Sequence, residues 1–267
     1  MGNQSQQNNA VARYYSGKKR RKKRRKLVFY TLLTIFMVLI ITVLSLTVFF
    51  NINKFTVEGN SHYSADEIIS ASGLETGQNM FRLNKFEIIE SLKASLPYLS
   101  EVTIRRALPS CIQITVTESQ PFAYLNSAGT FYIVDENLKI LEADVVPRDD
   151  IPEIQGLELE QAQVGQTLTA SDGAEQTLLI LTQSMKANVD TENVTVINAE
   201  NLHELSFVYE DRITVTLGGA ESMDEKFKLI KYVIDENPSK EHAEINISSD
   251  LKAHYRSIIV EEEDENS

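Results

Sequence analysis

The sequence predicts an α+β protein in which a single N-terminal transmembrane helix precedes two β-containing units. Three observations support this fold class. The stretch Leu27–Phe50 contains no charged residue, glycine or proline. Residues 51–119 alternate short strand patterns with two helix patterns that begin at capping residues. Residues 120–259 contain several further strand patterns, so β structure dominates the longer unit.

The uncharged stretch is long enough to cross a bilayer. As a helix, its 24 residues would span ~36 Å, compared with a hydrocarbon core of about 30 Å. A cleaved signal peptide would have a shorter apolar region followed by a small-residue cleavage site, and the sequence shows neither feature. A buried core helix of this length would carry a polar face. We therefore interpret Leu27–Phe50 as an uncleaved membrane anchor.

Nine basic residues directly precede this helix. They form an unbroken run of Lys18, Lys19, Arg20, Arg21, Lys22, Lys23, Arg24, Arg25 and Lys26. The positive-inside rule predicts that this flank stays in the cytoplasm and that everything after Phe50 is extracytoplasmic. The run would then bind anionic lipid at the cytoplasmic face. Nucleic-acid binding is the alternative, but the run lacks aromatic residues and adjoins the bilayer, so we expect no nucleic-acid partner.

The net charge changes sign across the helix. Of the 26 Lys and Arg residues, ten precede the helix, whereas all 38 Asp and Glu residues follow it. The overall charge of −12 therefore combines about +10 before the helix with −22 after it. Residues 1–26 are expected to be a disordered basic tail, and residues 260–267 a disordered acidic tail. A single cysteine, Cys111, cannot form a disulfide framework, so stability must come from burial.

Residues 51–119 predict a compact unit with the order β-α-α-β-β. Lys54–Glu58 alternates like a strand, and Ser64 with Glu67 fits a capping box that begins the first helix. Asn84 is expected to cap the second helix. The inner side of that helix should carry Phe86, Ile89 and Leu92. Two more strand patterns, at 102–106 and 111–118, would form a hairpin, and two helices on one face of three strands would close a core of this size.

These elements contain four short motifs in a definite order. The motifs are Phe55–Ser61, Gly77–Phe81, Val102–Pro109 and Ile114–Ala123. Directly after a membrane anchor with a basic tail, this order resembles the FtsQ/DivIB family of bacterial cell-division proteins. The resemblance implies that residues 51–119 form a POTRA domain. It also implies that residues 120–259 form a mixed, mainly antiparallel β domain.

The second unit is predicted to contain strands around two helices. A hairpin is expected at 130–135 and 139–141, with Leu138 where the resembled family has glycine. Ser171 or Asp172 should begin a helix that buries Leu178, Leu179, Leu181 and Met185. Strand patterns follow at 194–197, 205–209, 213–217 and 244–248. Between the last two, an apolar stripe at helical spacing is interpreted as core; it consists of Met223, Phe227, Ile230, Val233 and Ile234.

The sequence carries no recognisable catalytic or metal-binding pattern. The four histidines are scattered without metal-ligand spacing. Ser249–Lys252 fits the S-x-x-K motif of serine acyl transferases, but it follows a strand and lacks the accompanying K-T-G and S-D-N motifs. We therefore expect no enzyme activity, cofactor or metal. The remaining alternatives are a membrane-anchored extracytoplasmic cell-wall enzyme or its regulator, and a POTRA-bearing chaperone for secreted chains.

The last predicted strand is the candidate partner site. In the resembled family the C-terminal edge of the β domain binds the bitopic proteins FtsL and FtsB/DivIC, and other septal membrane proteins are further possible partners. The resemblance places this edge at Ala253, His254, Tyr255, Arg256, Ser257, Ile258 and Ile259. In a strand, the side chains of 254, 256 and 258 would face one way and those of 255, 257 and 259 the other. The alternative is a packed last strand without a partner. The resemblance implies a scaffold at the division septum.

Overall fold

The first helix, α1 (Lys26–Ser45), is long and apolar enough to cross a membrane, and its side chains are exposed. The computed structural model describes residues 26–45, 49–171, 173–236, 241–247 and 250–258. At 20 residues, α1 spans about 30 Å. The hydroxyls of Thr31, Thr34 and Thr42 donate hydrogen bonds of 2.8 Å to helix carbonyls three or four residues earlier. These polar groups are therefore satisfied without water.

Some predicted segments lie outside the described residues. These are the N-terminal tail to residue 25, which contains all of the basic run except Lys26, and the acidic tail from residue 259 onward. The described chain forms two compact units. The first contains the described residues of Met1–Thr56, Leu74–Asn84 and Ile104–Gln113, and the second contains those of Val57–Gly73, Lys85–Thr103 and Ile114–Ser267. The domain bounds given by the sequence stay a prediction.

A three-stranded sheet and two helices follow α1 in the predicted order. The elements are β1 (Lys54–Glu58), α2 (Ala65–Ala71), α3 (Lys85–Ser95), β2 (Leu99–Ala107) and β3 (Cys111–Glu118). The strand order in the sheet is β1-β3-β2. The capping box is confirmed, because Ser64 accepts from the backbone N–H of Glu67 and the Glu67 carboxylate accepts from that of Ser64. The β-α-α-β-β prediction is therefore confirmed.

The turn after β1 is held by the end of β3. The Glu118 carboxylate accepts hydrogen bonds from the three successive backbone N–H groups of residues 61–63, at 2.8, 2.6 and 3.1 Å. Burial raises the pKa of this carboxyl, but the hydrogen bonds favour its charged form more strongly and lower the pKa below its usual range. The resulting stabilisation is present above the ordinary carboxyl pKa and is lost as the pH falls through the lowered value.

One prediction about α3 was wrong. Phe86 is 80% exposed, whereas Leu92 is buried and Ile89 is half-buried. An α-helix turns by about 100° per residue, so residues 86 and 92, six residues apart, point about 120° away from each other around the helix axis. With Leu92 directed into the core, Phe86 is carried away from it.

The longer part of the chain forms a nine-stranded mixed sheet. Its strands are β4 (Ala123–Ser127), β5 (Thr130–Val134), β6 (Ile140–Ala143), β7 (Glu153–Gln155), β10 (Val194–Asn198), β11 (Leu205–Tyr209), β12 (Ile213–Gly218), β13 (His242–Ile247) and β14 (Ala253–Ile258). The order is β14-β13-β12-β11-β10-β7-β4-β5-β6. The pairs β4–β7, β7–β10 and β12–β13 are parallel and the other pairs are antiparallel. The predicted mixed, mainly antiparallel sheet is confirmed, although β4 was not identified from the sequence.

Two helices and a small hairpin complete this region. β8 (Leu159–Gln161) pairs with β9 (Thr169–Ala170), and a short 3-10 turn (Thr191–Asn193) precedes β10. The helices α4 (Glu175–Asn188) and α5 (Met223–Glu236) contribute buried side chains to one core with the strands. The apolar stripe predicted on α5 is confirmed as core, since three of its members are buried and two are partly buried.

The predicted start of α4 was wrong. The helix begins at Glu175 after Ala174, which makes no side-chain cap, and Asp172 lies outside the described residues. Ser171 is not the N-cap because it lies four residues before Glu175, and its backbone N–H and its hydroxyl both donate to the Glu158 carbonyl, at 2.9 and 3.2 Å. The β8–β9 hairpin therefore holds Ser171 away from the helix.

In the turn between β5 and β6, Leu138 occupies the position at which the resembled family has glycine. Leu138 is buried with φ +60°, a left-handed conformation that is unusual for leucine. The Asp135 carboxylate accepts hydrogen bonds from the backbone N–H groups of Asn137 and Lys139, both at 2.9 Å. Ser119 donates to the same carboxylate at 2.7 Å. The carboxylate and the burial of Leu138 together stabilise the turn.

Gly156 should be the least replaceable glycine of the larger sheet. Its φ is +83°, and a Cβ there would lie 2.3 Å from the backbone nitrogen of Glu200. Gly129 is a matched control, with φ +87° and open space around its Cβ position. We expect Gly129→Ala to lower the free energy of unfolding by about 1–2 kcal/mol and Gly156→Ala by at least about 3 kcal/mol. Denaturant unfolding of the two variants measures this difference, and equal losses would contradict it.

Candidate functional site

The strand β14 lies at one end of the nine-stranded sheet. Among the described strands it pairs only with β13, in an antiparallel ladder that joins His242 to Ile258 and Ile247 to Ala253. The N–H and C=O groups on its other side face no described strand. The predicted last strand is thus present as an edge strand over Ala253–Ile258. Ile259 lies outside the described residues.

The register assigns the side chains of β14 to two faces. On one face, Ala253, Tyr255 and Ser257 lie opposite the buried Ile247, Ile245 and Ala243 of β13. On the other face, His254, Arg256 and Ile258 lie opposite the exposed Asn246, Glu244 and His242. The first face continues the core and the second is open to solvent. The alternation predicted from the sequence agrees with this register; partner binding by these residues stays a prediction.

Most side chains of β14 are exposed to solvent. All of β14 except Ala253 is exposed, and Tyr255 and Ile258 are each 36% exposed. The nearest ion pair joins Arg256 to Glu244 at 3.9 Å, with both side chains largely in solvent. An exposed pair of this kind contributes little to stability. Ser257 donates a hydrogen bond to the Glu241 carboxylate at 2.9 Å and Ala253 packs against the core. The other side chains of β14 are exposed to solvent.

A buried lysine fixes the helix that supports this edge. Lys226 on α5 is buried, and its ammonium donates to the carbonyls of Leu217 and Gly219 at 2.8 and 2.7 Å. Burial lowers its pKa because it removes water from the charged form. These bonds tie α5 to the end of β12, which is paired with β13, and α5 also contacts β14. The burial of Lys226 was not predicted from the sequence, because a lysine beside an apolar stripe usually faces solvent.

The arrangement at the edge suits backbone recognition. An edge strand presents unpaired donors and acceptors that can bind an extended segment, and its alternate side chains can contact that segment on two faces. Within the described residues no group of three or more His, Cys, Asp or Glu side chains could hold a metal ion. Ser249, the serine of the S-x-x-K motif, lies outside the described residues. Glu244 and Asn246 of β13 also lie on the open face, beside Arg256 and His254. The alternation of polar and apolar residues in β13 is the sequence signal that could have predicted their position.

Comparison with known proteins agrees with the fold. Residues 50–119 match the POTRA domain of the FtsQ type. The cell division protein DivIB of Clostridium botulinum (strain Hall) is 29% identical over 199 residues, which are 73% of this chain and 76% of that protein. The cell division protein FtsQ of Corynebacterium glutamicum is 23% identical over 217 residues, which are 80% of this chain and 91% of that protein.

A solved structure is also similar to part of the chain. It is the major extracytoplasmic domain of DivIB from Geobacillus stearothermophilus, with 16% sequence identity and a TM-score of 0.30. The match covers 45% of this chain and 98% of that domain.

The fold and the matches define a class of protein: an apolar N-terminal helix followed by an FtsQ-type POTRA domain and a mixed β sheet. Within that class, the chain is similar to the cell division proteins DivIB and FtsQ, and its residues 50–119 match their type of POTRA domain.

Loss of the buried ammonium should destabilise the supporting helix. Lys226→Met keeps the length of the side chain but leaves the Leu217 and Gly219 carbonyls without their donor. We expect the free energy of unfolding to fall by about 1–3 kcal/mol. Lys228→Met, on the exposed face of α5, is the matched control and should change it by less than about 0.5 kcal/mol. Denaturant unfolding distinguishes the two, and similar values would show that the buried hydrogen bonds are not important.

Proposed function

We propose that this protein is a non-enzymatic, single-pass scaffold of septum assembly that binds bitopic division proteins through its extracytoplasmic region. The observation that carries the proposal is the exposed edge strand β14, which the sequence resemblance had selected as the partner site. By that resemblance, the partners are FtsL-like and FtsB/DivIC-like proteins. The relatives are named as cell division proteins, and this supports a role in division.

The proposed orientation rests on the distribution of charge. Ten Lys and Arg residues precede Leu27 without any acidic residue. A basic flank is retained in the cytoplasm, so α1 would leave the N-terminus inside and export residues 51–267. In this orientation the POTRA domain at 51–119 and the β domain at 120–259 both lie outside the cytoplasm, and the division septum is the proposed location.

Partner capture would proceed by addition of a strand to the sheet. An extended partner segment would bind the outward N–H and C=O groups of β14, which gives affinity without a specific sequence. Specificity would come from the two faces of the strand. Tyr255 is exposed beside the core face, and Ile258 with Arg256 lies on the open face, so a suitable segment would carry apolar side chains and a carboxylate.

Proline substitution tests the strand-addition proposal. Tyr255→Pro and Ser257→Pro should weaken partner capture, because proline lacks the N–H donor and cannot complete a ladder. We expect co-purification of the FtsL-like and FtsB/DivIC-like proteins with the full-length chain to fall by roughly tenfold or more. Ser257→Ala keeps the donor and is the matched control; it should retain capture.

The alternation of the strand makes the result decisive. Neighbouring residues of a strand direct their N–H groups to opposite edges. The N–H of Ala243 donates to the Arg212 carbonyl beside β12 at 3.0 Å, so the next residues that face β14 are Glu244 and Asn246. Their partners at 256 and 254 therefore donate to β13, and the N–H groups of 255 and 257 point outward. Proline in the outward pair should leave the melting temperature unchanged and abolish capture, whereas proline in the inward pair should lower the melting temperature. Normal capture by folded Tyr255→Pro and Ser257→Pro variants would refute this edge as the partner site.

A further inference from the structure

The end of the POTRA domain that follows α1 differs in charge and exposed apolar area from the rest of the exported chain. Three segments of the first unit meet there: the chain after α1, the turn after residue 77, and the β2–β3 hairpin. We define the membrane-proximal patch by its exposed basic and apolar side chains, which are Phe49, Lys54, Phe81, Arg82, Arg105 and Leu108.

Backbone hydrogen bonds join the three segments of the patch. The N–H of Met80 donates to the Phe50 carbonyl at 3.1 Å, and the N–H of Ile52 donates to the Gln78 carbonyl at 2.9 Å. The N–H of Asn53 donates to the carbonyl of Ser110, in the hairpin turn, at 2.8 Å. The backbones of the three segments are therefore held together in the fold.

An arginine and two aromatic rings fix the apolar part. The rings of Phe50 and Phe81 pack edge to face with centroids 5.2 Å apart. The Arg106 guanidinium lies 5.6 Å from the Phe81 ring centroid and donates to the Met80 and Leu83 carbonyls at 2.6 and 3.3 Å. Phe81 nevertheless remains 47% exposed. Phe49 and Leu108 are 72% and 61% exposed, so the fold holds three large apolar side chains in contact with solvent.

The chain places this surface beside the end of the proposed membrane span. Phe49 follows Ser45 by four residues, a distance of at most ~14 Å for an extended chain. The N–H of Phe49 donates to the Ser45 carbonyl at 3.0 Å. Because the Phe50 carbonyl accepts a hydrogen bond from the N–H of Met80, the turn that carries Phe81 and Arg82 must also lie close to the end of α1.

The charge of this part of the chain is opposite to that of its surroundings. The segments 49–56, 74–84 and 104–113 contain four basic residues and one acidic residue, Glu75. The remaining exported residues contain 12 basic and 37 acidic residues. Positive charge is thus concentrated in the segments nearest the anchor, although the exported chain as a whole would be repelled by an anionic surface.

We propose that the membrane-proximal patch binds the outer surface of the bilayer that α1 crosses. This inference rests on the proposed function, since it requires α1 to span the membrane. Lys54, Arg82 and Arg105 would contact lipid phosphates, and Phe49, Phe81 and Leu108 would enter the boundary between headgroups and acyl chains. The contact would hold these three segments of the first unit against the membrane.

Fluorescence quenching in lipid nanodiscs tests the contact. The full-length chain, one copy per disc, is labelled with an environment-sensitive fluorophore at a single cysteine. The label replaces the exposed Ala107, beside the patch, in a Cys111→Ser background. The discs contain phosphatidylcholine and phosphatidylglycerol with a spin-labelled lipid near the headgroup. We expect quenching at position 107 to be roughly twofold or more above that at Val146→Cys, an exposed position outside the patch.

Charge reversal provides the matched control. Arg82→Glu with Arg105→Glu should remove most of the difference in quenching, and high salt should reduce it. Lys228→Glu with Lys231→Glu makes the same change in net charge on the exposed face of α5 and should leave quenching at 107 unchanged. Arg106 is kept in all variants because its hydrogen bonds hold the patch together.

The possible outcomes separate this inference from the proposed function. Failure of the chain to enter the discs would overturn α1 as a membrane span, and the patch with it. Incorporation with equal quenching at positions 107 and 146 would overturn the patch alone. Quenching that requires two copies in a disc would overturn lipid binding in favour of self-association.

Discussion

A backbone that crosses a membrane must satisfy its own hydrogen bonds, and the proposed arrangement of this protein depends on that requirement. Only a continuous helix meets it in a single span, and α1 does so with no charge after Lys26 and with threonine hydroxyls bonded back to carbonyls. The asymmetry in charge on the two sides of this helix then determines the proposed orientation. Every acidic residue of the chain lies on the proposed extracytoplasmic side.

The backbone hydrogen-bonding groups of the edge strand β14 must also be satisfied, and on the outer side of the sheet water can satisfy them. The core face of β14 continues that of β13, and α5 covers this part of the sheet and is tied to β12 by the buried Lys226. The outer N–H and C=O groups of β14 can exchange water for a partner backbone. Ordinary defences of an edge, such as a proline or a bulge, are absent from Ala253–Ile258. Strand addition requires an edge strand that is paired on its inner side and has free hydrogen-bonding groups on its outer side. Among the described strands, β14 has this arrangement.

Local signals predicted the elements, whereas long-range contacts decided the exceptions. The capping box at Ser64, the β2–β3 hairpin and the helical stripe of α5 follow from patterns within a few residues. Ser171, a predicted start of α4, is instead hydrogen-bonded to Glu158, which is 13 residues away. The burial of Lys226 likewise depends on carbonyls at the end of another strand. The edge position of β14 was expected only through resemblance, because a sequence does not show which strand lacks a second neighbour.

Cysteine accessibility in intact cells tests most directly whether the acidic region is exported. In a Cys111→Ser background, Val146→Cys places a thiol at an exposed position after the span, and Ser5→Cys places one before it. With a membrane-impermeant maleimide, we expect intact cells to label Val146→Cys, and Ser5→Cys to react only after lysis. Labelling of Ser5→Cys but not of Val146→Cys in intact cells, or a mature chain that begins after Phe50, would contradict the account.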